Sequence, residues 1–447
     1  MKRFFFSAFR AFYIFKIWRR RKFTKAGLFL SYLIIASAIL GLDTRQSLTY
    51  QLFTLLSSFM ILSIIYSRKF KGDFDIKRYI PKFGTAGEPL AYSICINNKS
   101  NTKQKDLYLF EDFEDPRPSL EAFLKTSAPF EDNLNGFDKA VGFYRFQWLT
   151  SINENVKISG QHIQELLQDS HAEIKIEILP KNRGRLKFSG VTIAKPDPLG
   201  LLHSIIKISE PQSIIILPKR YKLSSFNLPG QRRYHLGGIA LTSSIGESEE
   251  FISLRDYRNG DSLKLIHWKS WARTGKPVVK EYQDEFFVRN ALILDTFENK
   301  SFSPTFETAV SVAASFVITL ENQETLLDLI FIGLETYCFT TGRGLSQTDN
   351  ILEILADVKT CQDKSFTTIT PIIISRKEML SGCIFILLKW DEERQTFIKH
   401  LLAIGLPVMV LVVTDKNYIL DPGPMKDKLE NFHVLEIDKI QEGLLKL

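Results

Sequence analysis

Apolar positions divide the chain into three regions with different periods. Residues 26 to 42, AGLFLSYLIIASAILGL, carry no charge, and a second uncharged run extends from Leu48 to Tyr66 after the polar link DTRQS. Each run is 17 to 19 residues long, near the lower limit for a helix that crosses the hydrocarbon core of a bilayer. From residue 72 to about 235 the period falls to two. "LAYSICINN", "HAEIKIEILP" and "GRLKFSGVTIAKPD" alternate apolar and polar positions between clusters of Asn, Gly, Pro and Asp, the mark of half-buried antiparallel strands. "EAFLKTSAPFEDNLNGFDKA" reads as a long polar insertion between two such groups. From about Ala291 continuous apolar runs ("NALILDT", "TLLDLIFIGL", "GCIFILLKWD", "LPVMVLVVTD") alternate with helical stretches such as "SPTFETAVSVAASFVITL" and "EERQTFIKHLLAIG".

These periods predict a multidomain chain. Residues 1–71 form a basic leader and a transmembrane helical hairpin, and residues 72–235 a β-sandwich-like domain with one elaborated connection. Residues 236–289 form a connector, and residues 290–447 an α/β domain on a mostly parallel sheet covered on both faces. A ligand crevice in such a sheet lies beyond the carboxyl ends of the strands. Asp295, Asp391 and Asp415 fall at or just after such ends.

Charge adds an orientation. The formal net charge is +8, yet residues 1 to 25 alone hold nine basic and no acidic residues, so the remainder is close to neutral. The high pI reports a local tail and is poor ground for a nucleic-acid partner. With Arg68, Lys69 and Lys71 after the second run, both outer ends favour the cytoplasmic side and the bulk of the chain lies in the cytoplasm. A cleaved signal peptide and a buried hairpin in a soluble protein are the competing explanations of the first run; the second run and the long basic leader speak against the signal peptide. Aromatics mixed with Arg and Lys in the leader fit a segment drawn to anionic membrane lipid, and a plain topogenic flank serves equally well.

Candidate chemistry concentrates in residues 260 to 285, GDSLKLIHWKSWARTGKPVVKEYQDE. The RTGK fragment fails as a phosphate loop: Ser270 stands where a glycine is needed and Pro277 where a hydroxyl is. His267 would serve as a general base only beside a nucleophile, and no GxSxG accompanies it; a packed, hydrogen-bonded histidine is the simpler reading. Stacking of single-stranded nucleic acid on the aromatics is opposed by Asp256, Asp261, Glu281, Asp284 and Glu285, which largely cancel the cations. Arg255, Asp256, Arg258, Asp261, Lys269, Arg273 and Glu281 instead alternate in sign as a mutually satisfied network would. The four cysteines are scattered with no CxxC, so neither a zinc site nor a disulfide framework is expected. Asp295 and Asp415 are the candidate metal ligands, because hard divalent cations take oxygen donors; helix capping is the bland alternative.

"LRDYRNGDSLKLIHWKSWARTGKPVVKEY", residues 254 to 282, resembles the signature segment of the bacterial DUF58 family. The match runs through Arg255, Tyr257, Gly260, Asp261, Ile266, His267, Trp268, Lys269, Ala272, Arg273, Val279, Lys280 and Glu281. "RGRLKFSGVTIAKPDPLGLL", residues 183 to 202, resembles a second family feature, a strand pair ending in a DP-apolar-G turn. The resemblance implies two early membrane spans and a carboxyl-terminal domain similar to von Willebrand factor A domains. It also implies a working association with MoxR-type AAA+ ATPases in the assembly of other complexes. The A-domain metal motif D-x-S-x-S retains Asp295, but Phe297 and Asn299 replace its serines, so the implied Mg²⁺ site is lost or much altered and no cofactor is expected. The expectation is therefore a non-enzymatic, multi-pass protein of the bacterial inner membrane whose cytoplasmic domains bind a protein partner, with no nucleic-acid ligand. The alternative is a membrane-surface hydrolase of an anionic envelope precursor acting through His267 and Asp261.

Overall fold

The computed structural model describes residues 2–40, 47–156, 160–224, 250–261, 263–283, 288–298, 302–321, 325–333, 336–341, 348–415 and 420–447. Two compact units emerge, one of residues 1–219 with 353–357, the other of residues 220–352 with 358–447. The leader and the apolar helices thus belong with the period-two region, and the connector belongs with the α/β region.

In the first unit three helices come first: α1 (Lys2–Lys22), α2 (Lys25–Leu40) and α3 (Ser47–Ser67). One stretch, Leu48–Ser67, is a helix long and apolar enough to cross a membrane, and α2, at 16 residues, is a shorter apolar helix. Leu55, Phe59 and Ile61 on α3 are exposed, so this helix is no core element of its own unit.

The strands follow as β1 (Phe74–Tyr79), β2 (Phe83–Thr85), β3 (Leu90–Asn98) and β4 (Gln104–Phe113). The polar insertion contributes three short helices, α4 (Leu120–Lys125), α5 (Gly136–Val141) and α6 (Phe143–Asn153). Then come β5 (Gln161–Leu166), β6 (His171–Ile178), β7 (Gly184–Pro196) and β8 (His203–Leu217). They pair as a three-stranded sheet, β1-β3-β6, and a five-stranded sheet, β2-β8-β7-β4-β5. The alternation read from the sequence is what joins them: Leu90, Tyr92, Ile94 and Ile96 point from β3 into a core shared with Leu107, Leu109, Phe188, Ile193 and Ile216 of the other sheet.

One charged residue crosses that core. Arg78 on β1 donates from Nε and Nη2 to the Glu111 carboxylate on β4 at 3.1 and 2.9 Å, and from Nη1 to the Glu210 carbonyl at 3.1 Å. Tyr92 donates to the same carboxylate at 3.0 Å, and the guanidinium lies 4.5 Å from the Phe188 ring centre. Both ionic side chains are fully buried, so each depends on the other to offset its desolvation.

The DPLG turn between β7 and β8 has a further use. Asp197 accepts from the N–H groups of Leu201 (2.8 Å) and Leu202 (2.7 Å), and Ser63 of α3 donates to its other oxygen. Thr24 donates its hydroxyl to the Gly200 carbonyl at 2.6 Å and its N–H to the Leu201 carbonyl at 3.1 Å, while capping α2 by accepting from Gly27 N–H at 2.9 Å. A Cβ on Gly27 would fall 1.9 Å from the Leu201 carbonyl oxygen, so only glycine lets α2 approach this turn. The turn therefore fastens the sandwich to the feet of both apolar helices.

The second unit begins with β9 (Glu250–Asp256), α7 (Trp268–Thr274) and β10 (Val278–Gln283). Its main body runs β11 (Val288–Leu294), α8 (Pro304–Glu321), β12 (Thr325–Ile332), β13 (Thr336–Thr341), α9 (Thr348–Asp357), α10 (Thr370–Arg376), β14 (Gly382–Leu387), α11 (Glu392–Ala403), β15 (Val408–Thr414), β16 (Phe432–Glu436) and α12 (Ile440–Leu444). The sheet order is β13-β12-β11-β14-β15-β16, parallel throughout except for the edge strand β13. β11 sits mid-sheet with Ala291, Leu292, Ile293 and Leu294 all buried, which explains its unbroken apolar run. The chain leaves β11 first toward β12 and later returns to its other side as β14, so the topological switch lies between β11 and β14.

Removing only one member of the sandwich's crossing pair strands the other. Arg78→Leu is expected to cost about 3–5 kcal/mol, seen as a lower denaturation midpoint of the detergent-solubilised chain by circular dichroism. Arg78→Leu with Glu111→Leu should recover most of that loss, and a single variant as stable as the parent would contradict the pairing.

Candidate functional site

The signature segment folds locally. β9 and β10 pair antiparallel with Arg255 opposite Val279 and Leu254 opposite Lys280. Between them the chain turns at Gly260, whose φ of 108° excludes other residues. Asp261 closes that turn: Arg255 donates to both its oxygens at 2.7 and 2.8 Å, and the Arg258 N–H donates at 2.8 Å. The Arg255 guanidinium holds the Asp261 carboxyl down at about 2. The two-pronged arginine–carboxylate bond expected from the alternating charges is thus present, and it braces a loop.

α7 follows with His267 as its first flanking residue. The His267 N–H donates to Val278 O at 2.9 Å, and its Nδ1 lies 2.7 Å from Ser270 Oγ. These contacts tie the helix to β10. Both oxygens of Asp261 are engaged by Arg255 and Arg258. Gly275, with φ 70°, ends the helix by donating to Trp271 O at 2.9 Å.

What α7 displays is an aromatic pair. Trp268 stacks on Trp271 with ring centres 5.2 Å apart, and Trp268 remains 64% exposed. Lys264, Lys269, Arg273 and Lys276 of the same segment are also exposed, as is Leu263. Tyr257 and Lys280 are half-buried on the strands; Glu281 faces Ser253 in the ladder, and its side chain lies outside the described residues, as do Asp284 and Glu285.

A second feature lies where the strand order predicts a crevice. A pocket of 210 Å³ opens past the ends of β11 and β14, lined among others by Phe297, Lys364, Ser365, Lys389, Asp391 and Arg394. Its floor is an ion pair. Asp295, fully buried, accepts from Arg394 Nε at 2.7 Å, from Leu388 N–H at 3.1 Å and from Phe297 N–H at 3.0 Å. Arg394 reaches on to Asp391 Oδ2 at 2.5 Å, and its guanidinium lies 4.8 Å from the Phe366 ring centre. Burial pushes the Asp295 carboxyl up against the opposing pull of Arg394 and the two amides. Asp391 also caps α11 by accepting from Arg394 N–H at 3.1 Å, and Glu393 accepts from the Thr367 N–H at 3.1 Å and from the Ser365 hydroxyl.

The residues here do not fit a divalent cation. A guanidinium already occupies the inner side of Asp295, and Phe297 is buried against Phe366, with ring centres 5.8 Å apart, where a hydroxyl ligand would be required. Asn299 lies outside the described residues. Asp415 is exposed just past β15, and among the described residues no three His, Cys, Asp or Glu side chains gather as a metal set. The sequence pattern does not single out Arg394: three residues after a helix cap, it looks like any surface helix arginine. Lys364 and Lys389 carry no sequence signal either.

A family model described as "Protein of unknown function DUF58" matches residues 253–368, covering the hairpin, α7 and the first half of the α/β sheet. The chain is also similar to the uncharacterized protein YeaD of Bacillus subtilis, 26% identical over 176 residues. That match covers 39% of this chain and 42% of the relative, so it spans about two fifths of the relative's length. Partial likenesses to solved structures include the CARDB domain of a Pyrococcus furiosus protein in complex with di-metal ions (7% identity, 33% of this chain, 89% of that one, TM-score 0.18). A cohesin module from a Clostridium perfringens glycoside hydrolase is another (12% identity, 32% and 96%, TM-score 0.15). Likenesses at these TM-scores carry no inference about this chain.

Arg394→Leu should leave Asp295 buried without its counter-charge and cost about 3–5 kcal/mol, measured by denaturant unfolding of the α/β unit's signal. Adding Asp295→Leu should restore much of it. A Mg²⁺-dependent rise in the stability of the parent would contradict the occupancy of Asp295 by arginine.

Proposed function

We propose that this chain is a membrane-tethered binding and scaffold protein that receives a protein partner on the signature segment. The observation that carries the reading is Trp268: a tryptophan left 64% exposed and stacked on Trp271, in a segment that also exposes Lys264, Lys269, Arg273 and Lys276. Exposing that much aromatic surface is costly in water and is characteristic of interface anchors. The cations favour a partner that presents carboxylates around an apolar recess. A MoxR-type AAA+ ATPase acting in assembly or envelope-related processes is the partner implied by the DUF58 resemblance.

The remaining parts of the reading have separate supports. A hairpin of α2 and α3 as two spans is supported by their apolar sequences; the 16 residues of α2 give roughly 24 Å of helix. A cytoplasmic position for the soluble units, in a bacterial inner membrane, is supported by the basic flanks on both outer ends. A von Willebrand factor A-like domain is supported by the sheet order with its antiparallel edge strand β13. Binding without a metal is supported by the seating of Arg394 on Asp295.

The hydrolase alternative rests on His267 and Asp261. It is less well supported because Asp261 is engaged by Arg255 and Arg258, and His267 by its own helix turn.

Trp268→Ala is expected to weaken capture of a MoxR-type ATPase from the same cell by about 30-fold or more, in line with an anchor worth over 2 kcal/mol, with the melting curve unchanged. His267→Ala should lower thermal stability and leave binding by the folded fraction intact. Full-strength capture by the Trp268 variant, or turnover of an envelope precursor abolished by His267→Ala in a stable protein, would overturn the reading.

A further inference from the structure

α1 is apolar on two opposite sides, and the structure covers only one of them. At 3.6 residues per turn, Phe6, Phe9 and Tyr13 share one face. That face packs on the helical insertion: Phe6 is buried with Phe123, Phe146 and Leu149, and its ring centre lies 5.2 Å from that of Phe123. Phe9 and Tyr13 flank the same cluster. The opposite face carries Phe4, Phe12, Phe15 and Trp18. Phe4 and Phe12 are 74% and 62% exposed, and Phe15 and Trp18 about half exposed. The edges between the two faces carry exposed Arg3, Arg10 and Lys16, exposed Lys2 and Arg20 stand at the two ends of the inner face, and residues 1 to 25 contain no acidic side chain.

The ends of the apolar helices fix the level at which α1 stands. Its last residue, Lys22, donates to Ser67 Oγ at the end of α3 at 3.2 Å, and α2 starts three residues later at Lys25. Arg21 pairs with Asp112 of β4 at 2.5 Å, and the Arg21 carbonyl lies 3.0 Å from His203 Nδ1. α1 thus leaves from the point where both apolar helices end, while its inner face is bound to the sandwich unit.

We infer that α1 is a two-faced membrane strap: its inner face grips the helical insertion, and its outer face lies in the anionic headgroup layer of the bilayer that α2 and α3 enter. The occupant is an anionic phospholipid surface. Aromatic side chains settle at the headgroup level, where ring and polar surroundings are both satisfied. Exposed basic residues on a helix that carries no acidic side chain of its own gain from the negative surface potential. Continuity with the apolar helices places the outer face at that surface. On this inference the insertion between β4 and β5 exists to receive the strap, holding the sandwich against the membrane. It rests on the membrane-tether part of the proposed function and adds the lipid class and the face that reads it.

The test uses the full-length chain in nanodiscs of phosphatidylcholine alone or with phosphatidylglycerol. A photo-crosslinking phenylalanine is placed at Phe12 or Phe15 on the outer face, or at Phe9 on the inner. The outer positions should yield lipid adducts, several-fold more with phosphatidylglycerol, and Phe9 should crosslink to residues of the 120–149 insertion. Arg3→Gln with Lys16→Gln, both exposed, should abolish the phosphatidylglycerol preference without altering the Phe9 crosslink. Protein adducts or none from Phe12 and Phe15, or equal lipid yields in both nanodiscs, overturn the strap. Alkaline carbonate extraction separates the two ideas: a chain released from membranes removes the tether itself, whereas a retained chain without outer-face lipid adducts removes only the strap.

Discussion

The guanidinium of Arg394 seated on Asp295 sets what the second unit can do. β11 is buried on both faces, so the carboxylate at its end has no access to bulk water and must find a partner inside the protein. Two backbone N–H groups and one arginine satisfy it, and the same arginine reaches Asp391 at the start of α11. The bond therefore joins the central strand to the helix beside the topological switch. It also occupies the carboxylate that a cation would require, and leaves a crevice lined by Lys364 and Lys389 together with Asp391, Glu393 and Arg394.

The first unit solves its buried charges by the same rule. Arg78 and Glu111 cross the sandwich as a desolvated pair, with Tyr92 and the Glu210 carbonyl filling remaining hydrogen-bonding capacity. Asp197 is buried at the DPLG turn and is satisfied by two backbone N–H groups together with Ser63 of α3. That satisfaction couples the soluble sandwich to the apolar helices. In each case a carboxylate removed from water acts as a joint between elements distant in sequence, which gives the polar residues of the core a mechanical purpose. The signature segment differs: its Arg255–Asp261 bond is local and braces a loop that holds out a tryptophan.

Much of this was legible from the chain. Periods of two placed β3, β6 and β7; continuous apolar runs placed β11, β12, β14 and β15; Pro304 and Asp391 marked the starts of α8 and α11. The antiparallel edge strand β13 and the short β16 were not legible, because edge strands lack a two-sided apolar run. The insertion before β5 read as a long polar stretch, yet it forms three helices, and Phe123 of the first with Phe146 and Leu149 of the third pack against α1. In the signature segment, alternating charge indicated a network but not its pairs, so neither the Arg255–Asp261 bond nor the exposure of Trp268 was legible, since a tryptophan in sequence is as readily a core residue.

The sequence by itself determined the classes of element, the charged leader, the apolar runs near the start and the failure of the phosphate-loop and serine-containing metal motifs. These depend on residue type at short spacing, and short-range sterics and solvation act directly on such spacings. Only the tertiary structure decided which charge answers which. Arg394 and Asp295 are separated by 99 residues, Arg78 and Glu111 by 33, and Ser63 and Asp197 by 134. Nothing local in the chain distinguishes these residues from solvated ones. Their roles arise when folding strips away water and leaves each carboxylate a single cation or set of donors within reach.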